Sequence, residues 1–343
     1  MSATVKATTD ASGSFFTALP DDLLQRVLVG VPLDDHRVAA SVCQAFRGVI
    51  TGSRFPALRQ KYGFAERGVV TVRVTEGDVL EIVTADKSCV LASIPGSGLY
   101  SSRGTTDGGT RLFLVSRNKN ASNLLAVDVS SRRWRRLATM PQPQGYSEQC
   151  IEWHSGLLYV AGGLGPDNSE PSFLRAFNET TGLWEELPPM PQNSPWAASG
   201  IIGNQLFIAG GDDATDQGSP TLQIYDIATR TWRFGASLPD SRTRFARGFV
   251  VDGKLCVMSP LARDGNPVLV YDPQSDFWTE EAPVPLLPTR LECVHDGRLI
   301  VYQENGTVIA RATDGSWRWF PYARTEPQTR WFYKSVSGSV LLG

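Results

Sequence analysis

Tryptophan recurs at nearly even intervals over most of this 343-residue chain. The five repeat tryptophans are spaced by 50, 48, 46 and 39 residues and are Trp134, Trp184, Trp232, Trp278 and Trp317. An Asp or Asn stands six residues before each of the first four, and a proline follows each of these four within seven residues. Self-similarity at a period of roughly 20–50 residues is typical of chains built from repeated units. We therefore expect this chain to build one structural unit several times over.

Residues 196–239 contain the pattern in full. Apolar runs at 199–202 and 205–209 flank a Gly-Asn turn, a third run ends in Tyr225 and Asp226, and a fourth covers 232–239. Short β-rich runs separated by turn residues predict a four-stranded antiparallel sheet. One such sheet cannot bury both of its faces, so neighbouring copies must cover it.

The features of this unit resemble the kelch repeat: a Gly-Gly doublet, an aromatic residue followed by Asp, and a Trp that closes the outer strand. The doublet occurs as Gly162 and Gly163 and again as Gly210 and Gly211. The kelch family folds as a β-propeller, and about 50 residues for each four-stranded blade is its expected period. The resemblance therefore implies an all-β propeller.

The number of blades depends on the two ends of the repeat region. Strand-like runs between 69 and 94 lack the tryptophan, and aligning them with the next copy puts Val90 in its position. Residues 331–342 resemble the opening half of a copy. We therefore expect C-terminal strand(s) to complete the first blade, which removes an open sheet edge and gives a six-bladed propeller. Whether 339–342 or 69–74 is the second strand of that blade stays open.

The segment 15–62 has a helical pattern instead. Its first helix is predicted from a Leu-Pro pair and two acids, which favour a helix start, and from an apolar stripe of Leu23, Leu24, Val27 and Leu28. A second helix is predicted from Asp34, with one face formed by Val38, Val42, Ala45, Phe46 and Val49. A short third helix is predicted around 55–62. So small a unit buries little surface, and we expect a partner to cover part of it; a plain helical cap is the alternative.

The order of residues in this segment resembles an F-box. The shared features are a Leu-Pro start, paired apolar residues, a later Pro, a Val-Cys pair and an aromatic-Arg pair, in which Phe46 replaces the usual Trp. The family's F-box binds the Skp-family adaptor of a cullin-RING ubiquitin ligase. By that resemblance, the residues that supply the adaptor interface or its supporting core are Leu19, Pro20, Leu23, Leu24, Leu28, Pro32, Val42 and Cys43.

A small all-α F-box domain at 15–62, after a flexible tail at 1–14 and before a kelch-repeat propeller at 68–343, resembles the plant F-box/kelch-repeat proteins. The order of parts is similar to the Kiss-Me-Deadly type, whose targets are phenylpropanoid enzymes or cytokinin response regulators. The resemblance implies the substrate-recognition subunit of an SCF-type E3 ligase, which presents a target protein for ubiquitination and proteasomal degradation. The alternative is a non-ligase kelch scaffold that binds actin or a small ligand.

Catalytic patterns are scarce, so we expect no enzyme activity, no cofactor and no metal. The chain has three histidines, too few for a histidine-based metal or catalytic cluster. The acidic pairs Asp212 and Asp213 and Glu280 and Glu281 are interpreted as solvated loop charges. Binding is the better hypothesis.

Composition narrows the partners and the compartment. A formal net charge of −2 argues against general binding to nucleic acid or membranes. The five cysteines are scattered and odd in number, which favours a reducing compartment. With no apolar run of membrane-spanning length and no secretory signal, we expect a cytoplasmic and/or nuclear protein.

The loops between blades predict where a target protein would bind. Inter-blade loops gather at one mouth of a kelch propeller, and here they carry aromatic and arginine residues, which are typical of binding hot spots. Arginine also pairs with carboxylates through two hydrogen bonds, so an acidic stretch of the target is a plausible epitope. The predicted mouth residues are Tyr146, Trp196, Arg242, Arg244, Arg290, Arg330 and Trp331.

Overall fold

The computed structural model places both the helical segment and the repeats. The chain divides into two compact units, residues 1–66 with 341–343 and residues 67–340. The residues that the structure describes are 20–31, 35–52, 54–62, 64, 66–73, 79–83, 88–94, 104–107, 110–117, 121–129, 131–141, 149–163, 172–212, 218–239, 245–259, 266–284, 289–295, 298–303, 308–319 and 333–342.

Four short helices form the first unit: α1 (Asp21–Leu28), α2 (His36–Val42), α3 (Gln44–Ile50) and α4 (Phe55–Lys61). The prediction of one helix across the middle of this segment was wrong. The chain breaks at Cys43, whose backbone is extended at φ −158° and ψ 169°. The Cys43 sulfur accepts a hydrogen bond from the backbone N–H of Phe46 at 3.5 Å, so this residue caps α3. The break separates Val38 and Val42, which are exposed, from buried Phe46.

A small apolar core holds the helices together. Its buried members come from α1, α3 and α4 and from the turn after α1: Leu24, Leu28, Val29, Phe46, Ile50 and Phe55. The side chains packed around them are mostly small, as with Ala39 and Ala40 of α2. A core of this size stabilises only marginally by itself.

The second unit is made of antiparallel strands. The first half of the chain contributes β1 (Glu66–Arg73), β2 (Val79–Val83), β3 (Ser88–Ser93), β4 (Gly104–Thr106), β5 (Arg111–Arg117), β6 (Ser122–Asp128), β7 (Arg133–Thr139), β8 (Cys150–His154), β9 (Leu157–Ala161), β10 (Leu174–Asn178) and β11 (Leu183–Leu187). The second half contributes β12 (Ala198–Ile202), β13 (Gln205–Ala209), β14 (Leu222–Asp226), β15 (Thr231–Phe234), β16 (Arg247–Val251), β17 (Lys254–Met258), β18 (Asn266–Asp272), β19 (Phe277–Val284), β20 (Thr289–His295), β21 (Arg298–Gln303), β22 (Val308–Arg311), β23 (Trp317–Trp319) and β24 (Tyr333–Leu342).

Among the described residues these strands form six four-stranded sheets. Five sheets each contain four consecutive strands, from β4–β7 to β20–β23. The sixth is composite, with the order β24-β1-β2-β3. The last strand of the chain therefore lies at the edge of the first sheet, and β1 is the second strand there.

The recurring Asp or Asn has the same place in four of the sheets, at the end of the third of their consecutive strands. Its side-chain oxygen accepts a hydrogen bond from a backbone N–H of the following turn: Thr229 donates to Asp226 at 2.8 Å, and Gln274 donates to Asp272 at 2.9 Å. These Asx turns lead the chain back into the fourth strand. The aromatic residue before the Asp then lies directly opposite the repeat Trp, with Tyr225 and Trp232 in register and their ring centroids 5.0 Å apart.

The repeat tryptophans connect neighbouring sheets. Four of them donate their indole N–H to a backbone carbonyl of the preceding sheet or the segment just after it: Trp184 to Thr139 at 3.2 Å, Trp232 to Pro188 at 2.8 Å, Trp278 to Ala236 at 2.8 Å and Trp317 to Ala282 at 3.1 Å. The same indoles pack against apolar cores between the sheets. This accounts for the recurrence of tryptophan, because in these four copies the Trp attaches its sheet to the one before it.

The first strands of two adjacent sheets approach each other closely at Gly248. A Cβ atom added there would lie 2.5 Å from the backbone nitrogen of Ser199 on β12, and nearer still to its carbonyl oxygen. Real Cβ atoms do not come so close to backbone atoms, so only glycine allows this spacing of β12 and β16.

Three details of the repeats differ from the sequence predictions. Val83 pairs with Ser88, and Val90 lies opposite Glu81, so Val90 does not occupy the tryptophan position. Asp212 is almost completely buried. Glu281 lies in β19 and forms a two-fold hydrogen-bonded ion pair with Arg311 of the next sheet. The interpretation of these two acids as solvated loop charges was therefore wrong, because Asp212 is buried and Glu281 is ion-paired within a strand.

Candidate functional site

Helix α1 has two apolar faces with opposite surroundings. Leu24 and Leu28 are 2% and 1% exposed and lie in the helical core. Leu23 and Val27 are 44% and 59% exposed. Both pairs have i,i+4 spacing, so each forms a continuous strip along its own side of the helix. The core uses one strip and leaves the other in contact with solvent.

Helix α2 repeats this arrangement. Val38 and Val42, again four residues apart, are 66% and 55% exposed. The exposed apolar pairs, Leu23 with Val27 and Val38 with Val42, thus present four aliphatic side chains on two short helices of one small unit. Scattered single exposed apolar residues are normal, but a concentration of them marks an interaction surface.

A buried arginine fixes the backbone around these helices. Arg59 of α4 is 2% exposed. Its Nη1 donates to the carbonyl oxygen of Val31, in the segment between α1 and α2, and lies 3.0 Å from Nε2 of His36. Its Nη2 donates to the carbonyl oxygen of Phe64 at 2.6 Å. One guanidinium therefore ties the start of α2, the α1–α2 connection and the chain after α4 to one point.

The predicted adaptor residues fall into three groups. Leu23 and Val42 are exposed, together with Pro20, whose carbonyl accepts the N–H of Leu24 at 3.0 Å in the first turn of α1. Leu24 and Leu28 belong to the core, and Cys43 packs beside it as a free thiol at the break between α2 and α3. The other two, Leu19 and Pro32, lie outside the described residues.

The sequence prediction did not include Val27, Val38 or Arg59 among the adaptor residues. The two valines could have been found, because each stands four residues from a residue that was selected. Nothing in the sequence distinguishes Arg59 from the many solvated arginines of the chain, since its role depends on two backbone carbonyls brought to it by the fold.

In the strand unit, one predicted mouth residue, Trp196, packs against a second aromatic ring. Trp196 stands two residues before β12, and Phe245 holds the same position before β16. Their ring centroids are 5.1 Å apart, and both have left-handed backbones, with φ of 56° and 55°. That conformation is costly for bulky residues and persists only where the surroundings enforce it.

The Gly-Gly doublet supplies part of that enforcement. The backbone N–H of Asp212, just after the doublet, donates to the carbonyl oxygen of Pro195 at 2.9 Å. Gly211 has φ +91°, and a Cβ on it would lie 2.6 Å from the same carbonyl oxygen. The doublet thus leaves room for the loop that carries Trp196.

The remaining predicted mouth residues are not brought together by what the structure describes. Arg290 lies on β20, but the description does not extend to its side chain. The others lie outside the described residues: Tyr146, Arg242, Arg244, Arg330 and Trp331.

Among the first strands of the sheets lies a cavity of about 240 Å³. Glu152 and Ser199 are among the residues that line it, and the Ser199 hydroxyl donates to Glu152 Oε1 at 2.7 Å. Within the described part of the chain, no group of three or more His, Cys, Asp or Glu is placed to hold a metal ion. No helix among the described residues has the length and apolar character needed to cross a membrane.

Comparison with known proteins agrees with these two architectures. The F-box domain family matches residues 16–58, and the Kelch motif family matches residues 197–239. A solved structure titled "Structure of YjhT" superposes with a TM-score of 0.54 at 14% identity, over 64% of this chain and 82% of that one. At that identity the likeness concerns the fold alone. The second unit is a kelch-like β-propeller, and the first is an F-box.

Similar chains combine the same two parts. F-box/kelch-repeat protein At2g44130 of Arabidopsis thaliana is 22% identical over 76% of this chain and 63% of its own length. F-box/kelch-repeat protein At1g22040 of the same plant is 24% identical over 85% of this chain and 67% of its own length. Kelch-like protein terF of Aspergillus terreus is 32% identical over 34% of this chain and 26% of its length. This chain is of the plant F-box/kelch-repeat kind; the Kiss-Me-Deadly type stays a prediction.

Proposed function

We propose that this chain is the substrate-recognition subunit of an SCF-type ubiquitin ligase, in which the F-box binds a Skp-family adaptor and the propeller binds a target protein. The observation that carries the proposal is the exposed apolar pairs on α1 and α2. Four aliphatic side chains left in water by a folded F-box are the surface that an adaptor would cover.

Within this proposal the predicted adaptor residues have two roles. The exposed ones, Leu23 and Val42 with Pro20, contact the adaptor directly, and Val27 and Val38 extend the contact. Leu24, Leu28 and Cys43 act from the supporting core instead. Replacing a core residue would unfold the unit, whereas replacing an exposed one would remove only the contact.

Binding of the full-length protein to a purified Skp-family adaptor tests the proposal. Leu23→Asp and Val42→Asp each place a charge in the apolar contact, and we expect either to weaken binding by about tenfold or more. Leu183→Asp is the matched control, because Leu183 of β11 is 68% exposed in the other unit. It should bind the adaptor like the unaltered chain.

Equal adaptor binding by the two F-box variants and the unaltered chain would contradict the proposed contact. If the unaltered full-length chain does not bind the adaptor at all, the ligase proposal fails. The alternative function, a kelch scaffold that binds actin or a small ligand, would then be the one to pursue.

We further propose that the six sheets are six blades of one closed propeller and that its mouth binds the target. The aromatic pair of Trp196 and Phe245 supports a site there, because its left-handed backbones fix both rings before any partner arrives. Of the other predicted mouth residues, the arginines would add positive charge to it, and Tyr146 and Trp331 would add aromatic surface. The Kiss-Me-Deadly resemblance suggests phenylpropanoid enzymes or cytokinin response regulators as targets.

In this role the chain performs no covalent chemistry. Its contribution is proximity, because a receptor that holds a target near the conjugating enzyme raises the effective concentration of the target's lysines. A cytoplasmic or nuclear location is part of the proposal, and the free thiols of Cys43, Cys150 and Cys256 are in keeping with a reducing compartment.

A further inference from the structure

The outer strand β7 differs from the other outer strands in charge and in the exposure of its Trp. It reads Arg-Trp-Arg-Arg from 133 to 136, directly after Arg132, and contains no acid. The residues that follow the repeat Trp in β11 are Glu185 and Glu186 instead. Charges of either sign protect a sheet edge, so edge protection alone does not require a basic run of this length.

Trp134 of β7 is the most exposed of the five repeat tryptophans. It is 42% exposed, whereas Trp278 is 6% exposed and the other three are intermediate. The other four attach to a carbonyl of the sheet before them, but the Trp134 indole makes no hydrogen bond to any described residue. A large aromatic surface is therefore available in the middle of the basic strand.

The arginines of β7 are only partly neutralised. Arg135 lies 3.3 Å from Glu179, but Glu179 is held more closely by Arg111, whose Nη1 donates to its two carboxylate oxygens at 2.5 and 2.6 Å. Asp128 lies opposite Arg133 in the strand pairing. Within the described part of the chain, neither Arg133 nor Arg136 forms an ion pair. The strand thus keeps a positive surplus on a chain whose formal net charge is −2.

Strand position allows backbone contact as well. In the sheet order β4-β5-β6-β7, β7 is an edge strand, and no described residue pairs with its outer side. Side chains alternate along it, so Arg133 and Arg135 share one face and Trp134 and Arg136 share the other. An added strand would meet two arginines on one face and an aromatic ring with an arginine on the other.

We propose that β7 is a second binding surface, which takes an extended acidic segment of a partner protein as an added strand. Backbone hydrogen bonds to the open edge would give affinity, and carboxylates that meet Arg133 and Arg135 on one face would give specificity. An apolar side chain of the segment would pack on Trp134. This surface is separate from the F-box and from the loop that carries Trp196, and it does not depend on ligase function.

A labelled peptide of about ten residues with alternating Glu and Val tests the proposal, since that is the length of a long strand. Its Glu side chains would all meet one face of β7 and its Val side chains the other. Fluorescence anisotropy with the full-length protein should show binding that weakens as salt is raised. A peptide with Lys in place of Glu should not bind, and one with two central prolines should bind far more weakly, because proline cannot pair in a ladder.

Variants locate the peptide on the strand. Arg133→Gln with Arg135→Gln should weaken peptide binding about four- to twenty-fivefold, from roughly two- to fivefold for each exposed ion pair. Trp134→Ala should weaken it by up to about fivefold, as for loss of one cross-strand aromatic contact. Arg318→Gln is the matched control, because exposed Arg318 follows Trp317 in β23 as Arg135 follows Trp134. It should leave peptide affinity unchanged.

Four results would overturn the proposal. Absence of peptide binding would exclude the surface, and equal binding by the double variant would place the peptide elsewhere. Undiminished binding of the proline peptide would exclude strand addition. Tighter binding of a single-stranded oligonucleotide than of the Glu-Val peptide would assign the surface to nucleic acid. Adaptor binding should be unchanged in all these variants, so failure here is distinguishable from failure of the ligase proposal.

Discussion

The indole N–H of Trp232 donates a hydrogen bond to the carbonyl oxygen of Pro188 in the segment just after the preceding sheet, over 2.8 Å. The ring also lies 5.0 Å from that of Tyr225, its partner across the strand pair. A single side chain thus attaches its own sheet to the preceding one and packs on an aromatic residue of its own sheet. The same arrangement at Trp278 shows that this is how one copy is joined to the next.

Replacement of Trp232 separates the two contributions of its indole. Trp232→Phe keeps most of the ring but removes the donor, and we expect a loss of about 1 kcal/mol in the free energy of unfolding. Trp232→Ala also leaves a cavity between sheets, and we expect a loss of about 2–4 kcal/mol because the site is only partly buried. Urea unfolding, monitored by tryptophan fluorescence, measures the loss of stability in both variants. Phe234→Ala, at a 51% exposed neighbour in β15, should change little.

Gly248 sets the distance between the first strands of two sheets. In Gly248→Ala the new methyl group would meet the backbone of Ser199, which cannot move aside as a side chain can. We expect the free energy of unfolding to fall by about 2 kcal/mol or more and the yield of folded protein to be lower. Gly48→Ala is the control: the site lies inside α3 with nothing within 4 Å, so it should stabilise the helical unit by roughly 0.5–1 kcal/mol.

Arg59 should be essential to the F-box fold without contacting any partner. Arg59→Met keeps the length of the side chain but removes the guanidinium donor from the part-buried carbonyl oxygens of Val31 and Phe64. We expect a destabilisation of about 2–3 kcal/mol or more, confined to the helical unit. Hydrogen exchange measures it, with faster exchange in α1–α4 and unchanged exchange in β8–β19. Exposed Lys61 offers the control Lys61→Met; if both variants exchange alike, Arg59 has no such role.

Cys256 should give the strand unit a characteristic response to alkali. Burial raises the pKa of its thiol from the ordinary 9.0 to about 11. The charge of Arg311 lowers this pKa and that of Glu281 raises it, each by less than burial does. Between pH 9 and 11 the unfolded chain loses this proton while the folded chain keeps it, so stability is full below pH 9 and falls toward pH 11, by up to about 3 kcal/mol.

Two measurements check this response. The slope of unfolding free energy against pH should be shallower in Cys256→Ala. Thiol labelling at pH 8 should leave Cys256 unmodified in the folded protein and modify it after denaturation. Rapid labelling of the folded chain at this residue would show that its site is open to solvent.

The repeat could be predicted because its signal is local and periodic. An Asp or Asn that caps a turn and a Trp six residues later, as with Asp226 and Trp232, recur in four of the copies and serve each copy's own strand pairing. The exposed side of α1 was foreseen only in part: the sequence predicts a single apolar stripe of Leu23, Leu24, Val27 and Leu28 on a unit whose surface a partner would partly cover.

Contacts between distant parts of the chain left no such signal. The pair of Glu281 and Arg311 joins two sheets across 30 residues, and either residue alone looks like a solvated charge. The break at Cys43 was missed because a helical apolar pattern continues through it, and only the sulfur cap and the extended backbone reveal the boundary. The left-handed backbone of Trp196 likewise follows from packing against the Gly-Gly doublet and could not be read from residue types.

The composite sheet also imposes an order in time. β1 leaves the ribosome early, but its neighbour β24 ends at Leu342, so this sheet cannot be completed until nearly the whole described chain has been synthesised. Until then β1 has an open edge, the kind of surface through which partly made β-sheet proteins associate wrongly. A chain that stops before Tyr333 would keep that edge permanently. Premature termination late in the message should therefore produce a chain marked for chaperone binding and degradation, although five of its six sheets have all their strands.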